Sequence, residues 1–147
     1  MDESKVVVSV SRQFSQQAEQ LFDAWLEAET AKRFLFRSDG GEIIKCDIDP
    51  QVGGGFVITD RRPGGDAEHV GRYVEIDRPS RLVFVFGMPA DSPDEDTVTL
   101  EFAPTSTGSE ITLTAEMAPG YEDYVEQVRD AWAEMLDKLA LLGAASG

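Results

Sequence analysis

Apolar residues recur at two different periods along this chain, and each switch between them marks a new element. Val6, Val8 and Val10 alternate with Ser9 and Ser11. β-branched residues at period two predict a strand over Lys5–Phe14. The spacing then lengthens to three and four at Ala18, Leu21, Phe22, Trp25 and Leu26, which predicts a short helix with Ser15 as its N-cap. A second short helix is expected to begin at Glu29 or Thr30 and to end near Phe34 to Phe36. Period two returns in six further segments: Glu42–Asp49, Gly55–Arg61, Glu68–Asp77, Arg81–Gly87, Asp96–Ala103 and Glu110–Met117. Turn-rich stretches such as "RPGGDA", "DRPSR" and "APTSTGS" separate them. Connections this short predict an antiparallel meander, because parallel strands need long crossovers. Finally Val125, Val128, Trp132, Leu136 and Leu139 form the stripe of one amphipathic helix, starting after Pro119-Gly120 and ending at Gly143.

These elements predict an α+β fold. A six- to seven-stranded antiparallel sheet must cover its apolar face, and the C-terminal helix is the only large apolar cover left in the sequence. A curved sheet gripping that helix buries both stripes. Because a helix fills only part of such a concavity, an apolar cavity between the two is expected.

Length and composition fit one domain over residues 1–147, with an ordered core over 5–143. Of the 147 residues, 41% are hydrophobic and 28% charged. The formal net charge of −15 argues against nucleic acid and anionic lipid headgroups as partners. Cys46, the only cysteine, excludes an internal disulfide and a cysteine-based zinc site. No stretch is apolar enough for a membrane helix, and the acidic start lacks a signal-like apolar region, so the expected location is cytoplasmic.

Glycines 53–55 precede a strand rather than a helix, and no Lys-Ser/Thr follows them. They therefore read as turn and sheet-bending residues, not as a phosphate loop. His69 is the only histidine and reads as a hairpin-edge or cavity-wall residue. The acidic run 91–96 reads as a solvated turn. Phe84 and Phe86 share one face of their strand while Val83 and Val85 share the other, and an apolar outer face there would suit a homodimer. No nucleophile–base arrangement stands out, so no catalytic residue, cofactor or metal is assigned.

Several segments in this order resemble the small bacterial homologues of the activator of the 90-kDa heat-shock protein ATPase. That family lies in the START-like, helix-grip (SRPBCC) superfamily. The matching pieces are "VSRQFSQQAEQLFDAWLEAETAKRF", "DIDPQVGGGFVI", "GRYVEIDRPSRLVFVF" and "VTLEFAPTSTGSEITLTAEM". Phe34 stands where many members carry tryptophan, and Ala131-Trp132 stands in place of a Gly-Trp pair. The resemblance implies a helix-grip domain with a cavity between sheet and C-terminal helix.

The leading reading is a binding module for a small hydrophobic or aromatic ligand, lipid included. Its expected site residues are Phe56, His69, Gly71, Tyr73, Phe84, Phe86, Trp132 and Met135, with Tyr73, His69 or Arg72 orienting the guest. Gly71 beside Tyr73 is the place where room for it is expected first. One alternative is a cyclase-, dehydratase- or hydrolase-type enzyme using His69 or Asp60. Another is a protein-interaction module with a chaperone or other protein as partner.

Overall fold

A computed structural model describes residues 6–36, 41–89 and 94–145, with side chains through Leu142. Strand β1 (Val6–Phe14) leads into helices α1 (Ala18–Ala24) and α2 (Ala28–Ala31). Six strands follow: β2 (Glu42–Ile48), β3 (Gly55–Arg62), β4 (Gly65–Asp77), β5 (Arg81–Gly87), β6 (Glu95–Thr105) and β7 (Gly108–Met117). A 3-10 turn (Glu122–Tyr124) opens helix α3 (Val125–Ala145). The seven strands form one antiparallel sheet in the order β1-β7-β6-β5-β4-β3-β2. The long meander predicted from the sequence is thus present, and β1 returns to pair with β7 from Val6↔Met117 to Phe14↔Ser109. No helix among the described residues is long and apolar enough to cross a membrane.

Strands β4, β6 and β7 run one to three residues beyond their expected ends, and the helices differ from expectation in three places. Ser15 is not the cap of α1: the cap position is Gln17, and no side chain bonds there. The preceding residues are instead drawn toward α3, where the buried Gln16 amide donates to the Leu139 carbonyl at 3.1 Å. Helix α2 starts earlier, at Ala28, and continues only as hydrogen-bonded turns, such as Leu35 N–H to Ala31 O at 2.7 Å. Gly143 does not end α3, which runs on to Ala145. A lone glycine in a helix lowers its stability without forcing a stop.

Curvature has two sources. Gly53 (φ +88°) and Gly65 (φ +130°) take backbone conformations that favour glycine, one before β3 and one at the β3–β4 turn. Gly53 N–H bonds to Tyr73 O at 3.0 Å and Tyr73 N–H to Gly54 O at 2.9 Å, so this turn is stitched onto β4. The second source was not read from the sequence. Register shifts between Ile43 and Lys45, and between Tyr73 and Glu75, mark β-bulges that leave Ile44 and Val74 outward and exposed. A bulge bends the strand and flips its side-chain parity, so Tyr73 and Ile76, three apart, both turn inward.

The core lies between the concave face, α1 and α3. Leu82, Phe84, Val98, Leu100, Ile111, Leu113 and Leu136 are buried there. On the convex face Val83 is 7% exposed rather than open to a partner. Arg81 spans the flanking strands beside it, pairing with Glu75 at 3.2 Å and Glu101 at 3.1 Å. The aliphatic stem of such an arginine shields apolar neighbours while its head stays wet. Phe22 and Trp25 are core residues, as expected, and Cys46 is a half-buried residue packed against the core.

Candidate functional site

Between the concave face and α3 lies a cavity of about 470 Å³. Its apolar wall is Phe36, Phe86, Met88, Val128, Trp132 and Met135. Strand parity supplies part of this wall. Phe56, Ile58, Asp60 and Arg62 face inward along β3 in unbroken register, and Gly71 pairs with both Phe56 and Phe86. Helical spacing supplies the rest, since Val128, Trp132 and Met135 fall on one side of α3.

Phe36 is the hub. Its ring stacks on the His69 imidazole at 4.2 Å and 11°, and lies 4.9 Å from Phe86, 5.7 Å from Trp132 and 5.9 Å from Phe56. These separations are those of favourable aromatic pairs. Phe36 reaches this place with φ +59°, a left-handed conformation that is rare for a bulky residue. Its backbone N–H faces the Met135 sulfur at 3.4 Å. Packing on all sides holds a backbone that alone would be unfavourable.

Polar groups interrupt the apolar wall. His69 is 5% exposed, with Nδ1 3.3 Å from the Ile58 carbonyl. Burial lowers its pKa to about 4, assisted by the Arg62 charge, so at neutral pH the imidazole is uncharged. Asp60 is fully buried and accepts a hydrogen bond from Arg62 Nε at 2.7 Å. Arg62 itself lines the cavity. Asp96, on β6, is pushed up to about 6, first by burial and then by the Asp94 carboxylate. Glu134 and Lys138 of α3 complete the polar lining.

A smaller space of about 280 Å³ shares Phe86, Met88, Asp96 and Val128 with the cavity and adds Tyr121 and Tyr124. Another cleft, of about 430 Å³, lies where α1 and α2 meet α3. Gln16, Gln20, Asp23, Glu27, Glu29 and Arg33 make it mainly polar, and it lacks aromatic rings. The aromatic-walled space under α3 is therefore the better candidate for an apolar guest.

Of the residues expected from the sequence, His69, Phe86, Trp132 and Met135 meet at the cavity. Phe56, Tyr73 and Phe84 form a packed aromatic layer beside it, with ring centroids 5.4–6.4 Å apart. Tyr73 is buried, and desolvation raises the pKa of its hydroxyl. Room for a guest at Gly71 is not what the glycine provides. A Cβ there would overlap the Phe56 ring, so the protein's own side chain fills that space. Arg72, suggested as a polar contact, is exposed, on the pleat opposite Gly71 and Tyr73. Among the described residues, the arginine at the cavity is Arg62, and parity counted from Phe56 was the signal that could have found it. The same count from Val98 would have found Asp96.

Gly71→Ala is expected to destabilise the protein by about 1–3 kcal/mol, because the Phe56 ring has packed neighbours on its far side. Urea titration measures this directly. An unchanged midpoint would show that the Phe56 layer is loosely packed.

A model of the family described as activator of Hsp90 ATPase homolog 1-like protein matches residues 15–143. No curated protein matches the chain. Solved structures do. The solution structure of an AHSA1-like protein from Aeromonas hydrophila has a TM-score of 0.82 at 22% identity, covering 97% of this chain and 94% of that one. A crystal structure from Chromobacterium violaceum has a TM-score of 0.81 at 23% identity, covering 92% and 96%. A Staphylococcus aureus protein described as of unknown function has a TM-score of 0.84 at 18% identity, covering 99% and 97%. At these identities the structures establish a shared helix-grip fold.

Proposed function

The chain belongs to the activator of Hsp90 ATPase homolog 1-like family, whose fold serves ligand-binding or co-chaperone-type modules, and from that premise we propose that it binds a small apolar or aromatic molecule in the cavity under α3. The observation that carries this reading is the cavity itself, about 470 Å³ with Phe36, Phe86 and Trp132 rings in its wall. That volume lies within the usual range for small-molecule sites. Binding would be driven by desolvation, at about 25 cal/mol per Å² of apolar surface before association costs are subtracted. Phe36, Phe86, Trp132 and Met135 would receive the apolar body.

N-phenyl-1-naphthylamine, a neutral fluorophore, tests the proposal. Expected is saturable one-to-one binding with enhanced emission, weakened at least tenfold by Trp132→Ala. Trp132 also belongs to the core, so a second variant is needed. Ala131→Trp places bulk at an exposed helix position that lines the cavity, without deleting any core atom. Undiminished binding in both variants would place the dye elsewhere and defeat the reading.

One observation favours a second reading, acid–base catalysis of the cyclase, dehydratase or hydrolase kind. The cavity wall holds an uncharged imidazole, His69, and a carboxyl of raised pKa, Asp96. Such pairs of environment-shifted groups are typical of catalytic sites. Turnover of a bound ligand that disappears in Asp96→Asn while binding persists would establish catalysis in place of simple carriage.

A further inference from the structure

The His69 imidazole says more about the guest than the aromatic wall does. His69 pairs with Ile58 across the β3–β4 ladder, so the root of its ring sits beside the Ile58 carbonyl. Nδ1 lies 3.3 Å from that oxygen. A carbonyl oxygen can only accept, so in the uncharged ring the proton is on Nδ1 and the lone pair on Nε2. The Ala67 backbone adds a weaker pull on the ring in the same sense. Nε2 sits further out on the ring. It makes no hydrogen bond among the described residues, yet it is not enclosed by other atoms. Phe36 covers one face of the ring at 4.2 Å, and the residue is only 5% exposed. The space on which Nε2 opens is the cavity that His69 lines.

A lone pair in that place selects by hydrogen-bond polarity. A hydrocarbon guest strips water from Nε2 and returns nothing. A ketone or ether brings a second lone pair against the first. A hydroxyl donates to Nε2 and restores the lost bond. The rings beside His69 are those of Phe36 and Phe86, so a charged donor would lose its water there without recompense. A phenol stays uncharged at neutral pH. Its ring also suits a wall in which Phe86 and Trp132 already meet edge to face at 5.9 Å.

Resting on the cavity-binding reading above, we infer that the guest is a hydrogen-bond donor of the phenol class, whose O–H donates to Nε2 of His69 while its ring lies against Phe86 and Trp132.

Equilibrium dialysis of 2-naphthol and 2-methylnaphthalene, two probes of nearly equal shape, reads the donor. The two partition differently from water, so the quantity compared is the ratio of their affinities in the natural protein against the same ratio in His69→Phe. Phenylalanine keeps an aromatic ring against Phe36 and removes the acceptor. The preference for naphthol should fall about tenfold, the value of a hydrogen bond whose absence leaves a desolvated acceptor. An unchanged ratio overturns the inference, because another group then takes the hydroxyl. A second measurement needs no variant. His69 is the only histidine, so the imidazole nitrogens give a single pair of NMR signals in isotope-labelled protein. Nδ1 should be the protonated nitrogen of the free protein, and 2-naphthol should shift the Nε2 signal where 2-methylnaphthalene does not. A proton on Nε2, or an Nε2 signal that bound naphthol leaves unmoved, overturns the inference whether or not the variant folds. Failure of both probes to bind overturns the cavity reading itself, and this inference with it.

Discussion

Phe36→Ala is expected to lower the unfolding free energy by about 3–5 kcal/mol, the usual cost of deleting a buried aromatic ring. The ring is 4% exposed and meets His69, Phe56, Phe86 and Trp132, so its loss opens the centre of the aromatic set. The backbone makes the prediction more specific. At φ +59° any side chain with a Cβ is penalised, whereas glycine is not. Phe36→Gly should therefore be more stable than Phe36→Ala by roughly 1 kcal/mol, reversing the order found in helices and strands. Urea midpoints of the two variants decide it. If alanine proves the better tolerated, the left-handed conformation of Phe36 is not what the folded protein maintains.

A second large effect concerns pH. His69 has a folded pKa of about 4 against an ordinary value of 6.5. Below pH 6.5 the unfolded chain takes up a proton that the folded protein refuses. The stability this group confers is complete above 6.5 and is lost as pH falls toward 4, by about 3 kcal/mol in all. Asp96 works in the opposite sense. Its folded pKa of about 6 exceeds the ordinary 3.8, so the folded protein binds the proton more readily. Its ionised form weakens folding above pH 6, and that penalty disappears as pH falls from 6 to 4. The two contributions oppose each other in one window. Asp23, whose carboxyl is held low by its hydrogen bonds to Arg78, acts only at more acidic pH. Asp96→Asn should be more stable than the natural protein at pH 7, by roughly 1–2 kcal/mol once partial exposure of the carboxyl is allowed for. That advantage should shrink to about a third by pH 4.5, where the variant becomes visibly acid-labile. Urea titrations at pH 7.0, 5.5 and 4.5 test the sign, and an advantage constant with pH would refute this assignment of Asp96.

Both predictions draw on groups that the sequence placed unevenly. The sequence placed Phe36 only near the end of the second short helix. Nothing in its local sequence announces a left-handed backbone, since that conformation is imposed by the rings around it. His69 read as a hairpin-edge or cavity-wall residue, and the depth of its burial depends on Phe36 stacking on it from outside its own strand. Asp96 stood where two readings overlap, the end of a solvated acidic run and the first residue of a strand. Its neighbours at 91–93 lie outside the described residues, but Asp96 itself belongs to β6 and faces Phe86 across the ladder. Parity counted back from Val98 contains that fact, but a run of acidic residues masks it.

What the sequence determined by itself follows from periodicity and turn chemistry. The strands of β2 to β7, their antiparallel succession and the long C-terminal helix are local or nearest-neighbour properties. Period two fixes a strand and period 3.6 a helix wherever the chain lies in space, and short turns allow only antiparallel neighbours. The tertiary structure decided everything that depends on phase between distant elements. It set the bulges at Ile44 and Val74, which flip side-chain parity midway along two strands. It moved the room expected at Gly71 to the gap under α3, because Phe56 crosses from the neighbouring strand to fill the first place. It also chose Arg62 over Arg72 for the cavity. In a pleated sheet one residue of offset exchanges the two faces, so a site assembled from five elements depends on offsets that no single stretch of sequence records.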